Sequence, residues 1–168
     1  MIEPAFVRTM ARYNAWQNES LMAAADGLSD EARRLDRGAF FRSIQGTFNH
    51  VLWADEVWLS RLTGSEKPPV GGSESSIYFG DWAAFCERRR ERDRTIIDWA
   101  EGMDGDWLRG TLIWHSGAAG REIGKPRAFV IAHIFNHQTH HRGQIHAMLT
   151  AAGAKPDDTD LFLVDEPR

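Results

Sequence analysis

Residues 126–153, PRAFVIAHIFNHQTHHRGQIHAMLTAAG, decide how this chain is read. Pro126 suits a first helical turn, Gly153 suits a left-handed stop, and only Gly143 interrupts the pattern between them, so the stretch predicts one long helix. Five of the protein's seven histidines fall within it. Advancing ~100° per residue from Val130 as zero puts Ile134 near ~+40°, His137 near ~−20°, His141 near ~+20° and Met148 near ~0°. His137 and His141 therefore lie in the middle of the apolar stripe, His133 and His140 at its edge, and His146 on the far side. Burying a polar ring without a partner costs about 1–3 kcal/mol, and two adjacent buried rings cannot both be charged. A shared cation removes both problems, because histidines at i and i+4 present their nitrogens to one point. The alternative is a pair of core histidines bonded to a serine, a carbonyl or a buried water.

The rest of the composition narrows the partners. A chain of 168 residues fits one domain, residues 1–168, with a sizeable core. A formal net charge of −4 and a pI near 6.0 argue against nucleic acid, which needs a basic face. The cationic run at residues 88–94, RRRERDR, is interrupted by acids at helical spacing and reads as a solvated, salt-bridged helix face. No apolar run approaches the ~20 residues needed to span a membrane, and the start MIEPAF lacks a basic segment followed by a hydrophobic one. The single cysteine, Cys86, excludes an internal disulfide framework and fits a reducing compartment, so the cytoplasm is expected. In its helical register Cys86 reads as a small core residue, not a nucleophile.

Outward from the histidine helix, three more helices are expected. The first runs from Glu3 to about Gly27, with apolar positions at Phe6, Met10, Tyr13 and Ala24. Ser29 is placed to cap a short turn, and Ser43 to cap a second long helix that stops at Gly64 and is apolar round much of its circumference. Residues 64–80, rich in Gly, Pro and Ser, predict an exposed loop. Asp81 is placed to cap a third helix, to about Met103. Between Trp107 and Lys125, β-branched and aromatic residues flank an SGAAG turn, which predicts a hairpin or two extended segments. The tail carries an apolar patch, Leu161 to Val164, expected to dock back on the helices. The sum is an all-α four-helix bundle with a short extended or hairpin insert before the last helix.

A catalytic zinc-type site wants three protein ligands and an open position. Off the last helix only His50 and His115 remain. His50 falls near the middle of the second long helix, one turn from the small Ala54. His115 sits beside the SGAAG turn, where an exposed imidazole is ordinary. His50 is thus the candidate third ligand, with His133 as a fallback or as a partner of a ligand ring. Gln144 lies on the histidine side of the wheel, at the stripe's edge. Other chemistries lack their residues: there is no Glu-x-x-His, no HExxH, no glycine-rich phosphate loop and no GxSxG. Trp16, Trp53, Trp58 and Trp114 are candidates to line an apolar mouth above the metal.

The segments HIFNHQTHHRGQIHAMLTAAG, YNAWQNESLM and FNHVLWADEVWL together resemble the DinB family, also described as DinB/YfiT-like, over about residues 6–163. The resemblance implies a four-helix bundle, commonly homodimeric, with one divalent metal ion held by three histidines, here His50, His137 and His141. Three imidazoles accept Zn, Ni, Fe, Mn or Co. It also implies a small-molecule substrate and a low-molecular-weight thiol such as bacillithiol, mycothiol or glutathione, activated by the metal for transfer or isomerisation at an electrophilic carbon. Hydrolysis by a metal-bound water, and a non-catalytic metal-stabilised binding protein, are the alternatives. Because ligand histidines must be neutral, metal affinity is expected to fall as pH drops through about 6.5.

Overall fold

The computed structural model describes residues 2–117 and 119–164, so residue 118 of the SGAAG turn and residues 165–168 of the tail lie outside the described residues. In chain order the elements are α1 (Pro4–Asp26), a short α2 (Asp30–Arg34), α3 (Ile44–Thr63), α4 (Trp82–Glu101), a short α5 (Gly105–Leu108), β1 (Thr111–Ser116), β2 (Arg121–Pro126) and α6 (Arg127–Ala151). The ends follow local chemistry. The side chains of Ser29, Ser43 and Asp81 accept from the backbone N–H groups of Ala32, Gly46 and Ala84, each satisfying a donor the helix cannot. Gly64 (φ 76°) and Gly153 (φ 83°) take the left-handed conformation that lets the chain turn away after α3 and α6. Pro126 stands just outside α6, paired with Thr111 at the end of the antiparallel hairpin, so the helix begins at Arg127.

The four long helices pack in a ring, α1 against α4 and α6, and α3 against α6 and α4. One apolar cluster joins Leu21, Ile44, Phe48, Phe85 and Leu149, and another joins Val7, Leu59, Ile96, Ile131 and Phe135. On every long helix, buried polar residues stand between the two clusters: Asn14 and Asn18 on α1, Asp55 on α3, Arg89 and Asp93 on α4, Gln138 and Arg142 on α6. Arg89 reaches Asp55 and Asp93, both at 2.7 Å, and Gln138 donates to Asp55 at 2.6 Å. Asn14 links Gln138 to Arg142, and Asn18 donates to Asp93 at 3.0 Å. Two guanidinium cations thus meet two carboxylates inside the bundle, with side-chain amides between them.

Three expectations are corrected here. The run 88–94 is only partly a solvated face, because Arg89 and Asp93 turn into the core while Arg88 pairs with Glu56 and Glu91, Arg90 with Glu19 and Arg92 with Glu56. Residues 64–80 are not simply an exposed loop: they include a 3-10 turn, Gly72–Ile77, that lies along α3 and buries Ser75. The patch at Leu161 does not dock, since Phe162 is 82% exposed and its two leucine neighbours 45% each. What docks is the polar backbone just before it. Tyr13 and Gln17 donate to the carbonyls of Thr159 and Asp158, and the Asp157 N–H donates to Ser20. Among the described residues no helix is long and apolar enough to cross a membrane.

Candidate metal centre

α3 and α6 lie side by side, which brings His50 to the pair that α6 displays one turn apart. The Nε2 atoms of His50 and His137 are 3.3 Å apart and those of His141 and His137 are 3.1 Å apart. One nitrogen from each ring lies within 4.8 Å of the others, with His141 buried and the other two half-buried. Two nitrogens held ~2.0–2.1 Å from one tetrahedral ion stand roughly 3.3 Å apart, so the donor set fits such an ion.

The outer nitrogens strengthen that fit. Ser75 donates its hydroxyl hydrogen to the Gly72 carbonyl at 2.8 Å, so toward His50 Nδ1, 3.1 Å away, it is left as acceptor. Gln144 Oε1 is 2.8 Å from His141 Nδ1 and, as a carbonyl oxygen, can only accept. Each partner fixes the proton on Nδ1 and leaves Nε2 as a bare lone pair facing its neighbours. Both bare nitrogens face His137 Nε2, at 3.3 and 3.1 Å, and a cation shared among the three rings would satisfy them together. Gln144 is therefore more than a residue at the edge of the stripe, and its amide also reaches His140 Nε2 at 3.3 Å.

Burial, followed by the charges His137 and His141 would carry, pushes the His50 pKa down to about 3. Burial, then His141, His133 and His140, pushes His137 down to about 4. His141 is also lowered by burial, against the raising effect of its bond to Gln144. All three rings are neutral at ordinary pH, as ligands must be.

The remaining candidates lie apart. The His133 ring stands 5.8 Å from the ring of His137 and edge-on to Trp58, and His115 is exposed on β1. Burial first, and then Asp26, pushes the Cys86 thiol up to about 11, so it stays protonated in the core. Two contributors have no signal in helical periodicity. One is Ser75, from the turn beside α3. The other is Phe41, in the link before α3, which stacks on His50 with ring centres 3.7 Å apart and meets His141 edge-on.

Beside the triad a cleft of about 850 Å³ runs between α3, the loop after it and β1. Trp53, Trp58 and Trp114 line it, and Trp53 also lies 6.0 Å from the His50 ring. Trp16 does not line it; it packs against Tyr13 on α1.

With this geometry in hand, comparison with known proteins is specific. The family model described as the DinB family matches residues 1–168. Protein DinB of Bacillus subtilis (strain 168) is 25% identical, with 94% of each chain covered. A crystal structure of a DinB-like protein from Bacillus cereus superposes with a TM-score of 0.62 at 19% identity, over 85% of this chain and 90% of that one. That likeness is one of fold.

Proposed function

The chain belongs to the DinB family, and from that premise we propose that it is a divalent-metal-dependent enzyme whose ion is held by His50, His137 and His141. The observation that carries this reading is the convergence of three Nε2 atoms, two of them left as lone pairs by acceptors on the opposite ring nitrogen. Among the described residues no fourth His, Cys, Asp or Glu joins the group. Three protein donors with a position left over is the ligand count of a catalytic site, whereas structural sites close with four.

When bound, an ion with its 2+ charge undiminished by neutral ligands lowers the pKa of a thiol or a water. The chain's own residues do the rest. Ser75 and Gln144 hold the rings in tautomer and orientation. Phe41 stacks on the His50 ring, and Trp53, 6.0 Å from that ring, also forms part of the cleft wall. On the family likeness, the reaction proposed is activation of a low-molecular-weight thiol for transfer to, or isomerisation of, a small electrophilic substrate, by a cytoplasmic homodimer.

The test begins with metal content of tag-free protein by inductively coupled plasma mass spectrometry, wild type beside His50→Ala and His141→Ala. About one equivalent in wild type, lost in both variants, is expected. A panel of thiols with electrophilic substrates then separates the reactions. Thiol-dependent turnover supports transfer or isomerisation, and turnover without thiol points to hydrolysis. Metal that raises thermal stability without any turnover points to a structural role, and no metal after reconstitution overturns the site.

A further inference from the structure

The chain carries a net charge of −4, yet among the described residues no Asp or Glu lines the cleft beside the triad. Its ionisable lining consists of Arg61 from α3, Lys67 from the following loop and His115 from β1. Its largest side chains are the indoles of Trp53, Trp58 and Trp114. The Arg61 guanidinium lies over Trp58 at 4.5 Å and near Trp114 at 5.7 Å. Among the described residues neither Arg61 nor Lys67 has a carboxylate within salt-bridge distance, although most arginines of α4 are paired. Burial alone pulls the Arg61 pKa below its ordinary value, as for a cation that has lost water without gaining an anion. A cleft of about 850 Å³ lies within the ~300–1,000 Å³ range of small-molecule sites.

We propose that this cleft binds a small organic anion with a flat apolar or aromatic body, its ring packed among Trp53, Trp58 and Trp114 and its carboxylate or sulfonate paired with Arg61 and Lys67. A planar guanidinium already held against an indole offers its outer N–H groups in a fixed fork, the geometry that pairs with two oxygens of one acid group. The indoles supply a large apolar contact area with little conformational entropy to lose. Trp53 both lines the cleft and lies 6.0 Å from the His50 ring, so the site proposed here neighbours the three histidines. As a statement about substrate class this rests on the metal-dependent reading above; as a binding site the cleft stands without it.

The experiment is isothermal titration calorimetry on metal-depleted protein with three probes of one shape: 1-naphthoate, neutral 1-naphthamide and cationic 1-naphthylmethylammonium. The expected order of affinity is naphthoate, naphthamide, then the ammonium. Arg61→Gln should weaken naphthoate by about tenfold while leaving naphthamide nearly unchanged. Lys67→Gln, on an exposed loop where folding is not at stake, should shift naphthoate in the same direction. Equal affinities across the series, no binding of naphthoate, or indifference of naphthoate to both substitutions would overturn the proposal. Binding of naphthoate only after zinc is restored would also overturn it, by placing the carboxylate on the ion. Because the series is read without metal, failure of the histidine site leaves its result intact.

Discussion

Ser75 touches no metal in the reading above, yet it decides which nitrogen of His50 carries the proton. Its replacement by Ala should weaken metal binding by about 10–100-fold without abolishing it, the usual effect of removing an outer partner. His141→Ala should remove bound metal almost completely while far-ultraviolet circular dichroism stays close to wild type. Equal effects of the two changes would show that Ser75 does not act through the ring. The same rings set the pH dependence. A ligand must shed its proton before it binds, so affinity is lost only as pH falls through the pKa of the metal-free site. Burial pulls all three down, His137 to about 4 and His50 to about 3. Affinity should therefore hold as pH passes 6.5, the ordinary histidine value, and fall toward 4. Competition titrations with a pH-insensitive chelator would measure it, and a tenfold loss already at pH 6.5 would contradict the burial of the site.

Between elements, the contacts that set the helices in register are polar. Asp55 and Arg89 are each about 1% exposed at the side chain, so Asp55→Ala takes from a buried cation one of its two carboxylates and leaves a glutamine amide without its acceptor. A loss of about 3–5 kcal/mol in urea denaturation is expected, and less when Arg89→Met is combined with it. Gly46 tests the link that carries Phe41. A Cβ there would stand 2.5 Å from the Phe41 carbonyl oxygen, so Gly46→Ala should displace the ring stacked on His50 and lower both stability and metal affinity. Unchanged affinity would show that the stacking does not matter to the site. These elements also show what was legible beforehand. Caps at Ser43 and Asp81 and the stop at Gly64 were readable because each satisfies backbone groups a few residues away. His137 and His141 were readable because i and i+4 on an apolar stripe is a local pattern, and His50 because few other histidines remained. The buried face of α6 made by Gln138 and Arg142 was not. A single apolar stripe accounts for one neighbour, and α6 packs against both α1 and α3. The partners of Gln138 lie 124 and 83 residues away, and Ser75 meets His50 only because the loop folds back along α3.

At the scale of the whole molecule, two buried groups of opposite character compete for the pH dependence of the metal-free protein. The histidines of the triad have folded pKa values below the 6.5 of an exposed ring, so between 6.5 and about 4 the unfolded chain binds protons that the folded one refuses. Their contribution is fully present above 6.5 and is lost on acidification. Asp93 works the other way. Burial, reinforced by Asp55 and opposed by Arg89 and Asn18, raises its pKa from 3.8 to about 6, so the folded state holds a proton that the unfolded state releases. Its contribution is present below 3.8 and disappears as pH rises through about 6. Over the shared window, three lowered rings outweigh one raised carboxyl. Urea denaturation of metal-depleted protein from pH 7.5 to 4.5 should show stability falling with acid, and His137→Asn, with one titrating ring fewer, should fall less steeply. Excess zinc should raise stability at neutral pH and make the loss steeper toward pH 4, where the ligands take up protons and release the ion. Stability that instead rises toward pH 5 in metal-depleted protein would mean that the polar layer around Asp93, and not the histidine cluster, governs how this bundle responds to protons.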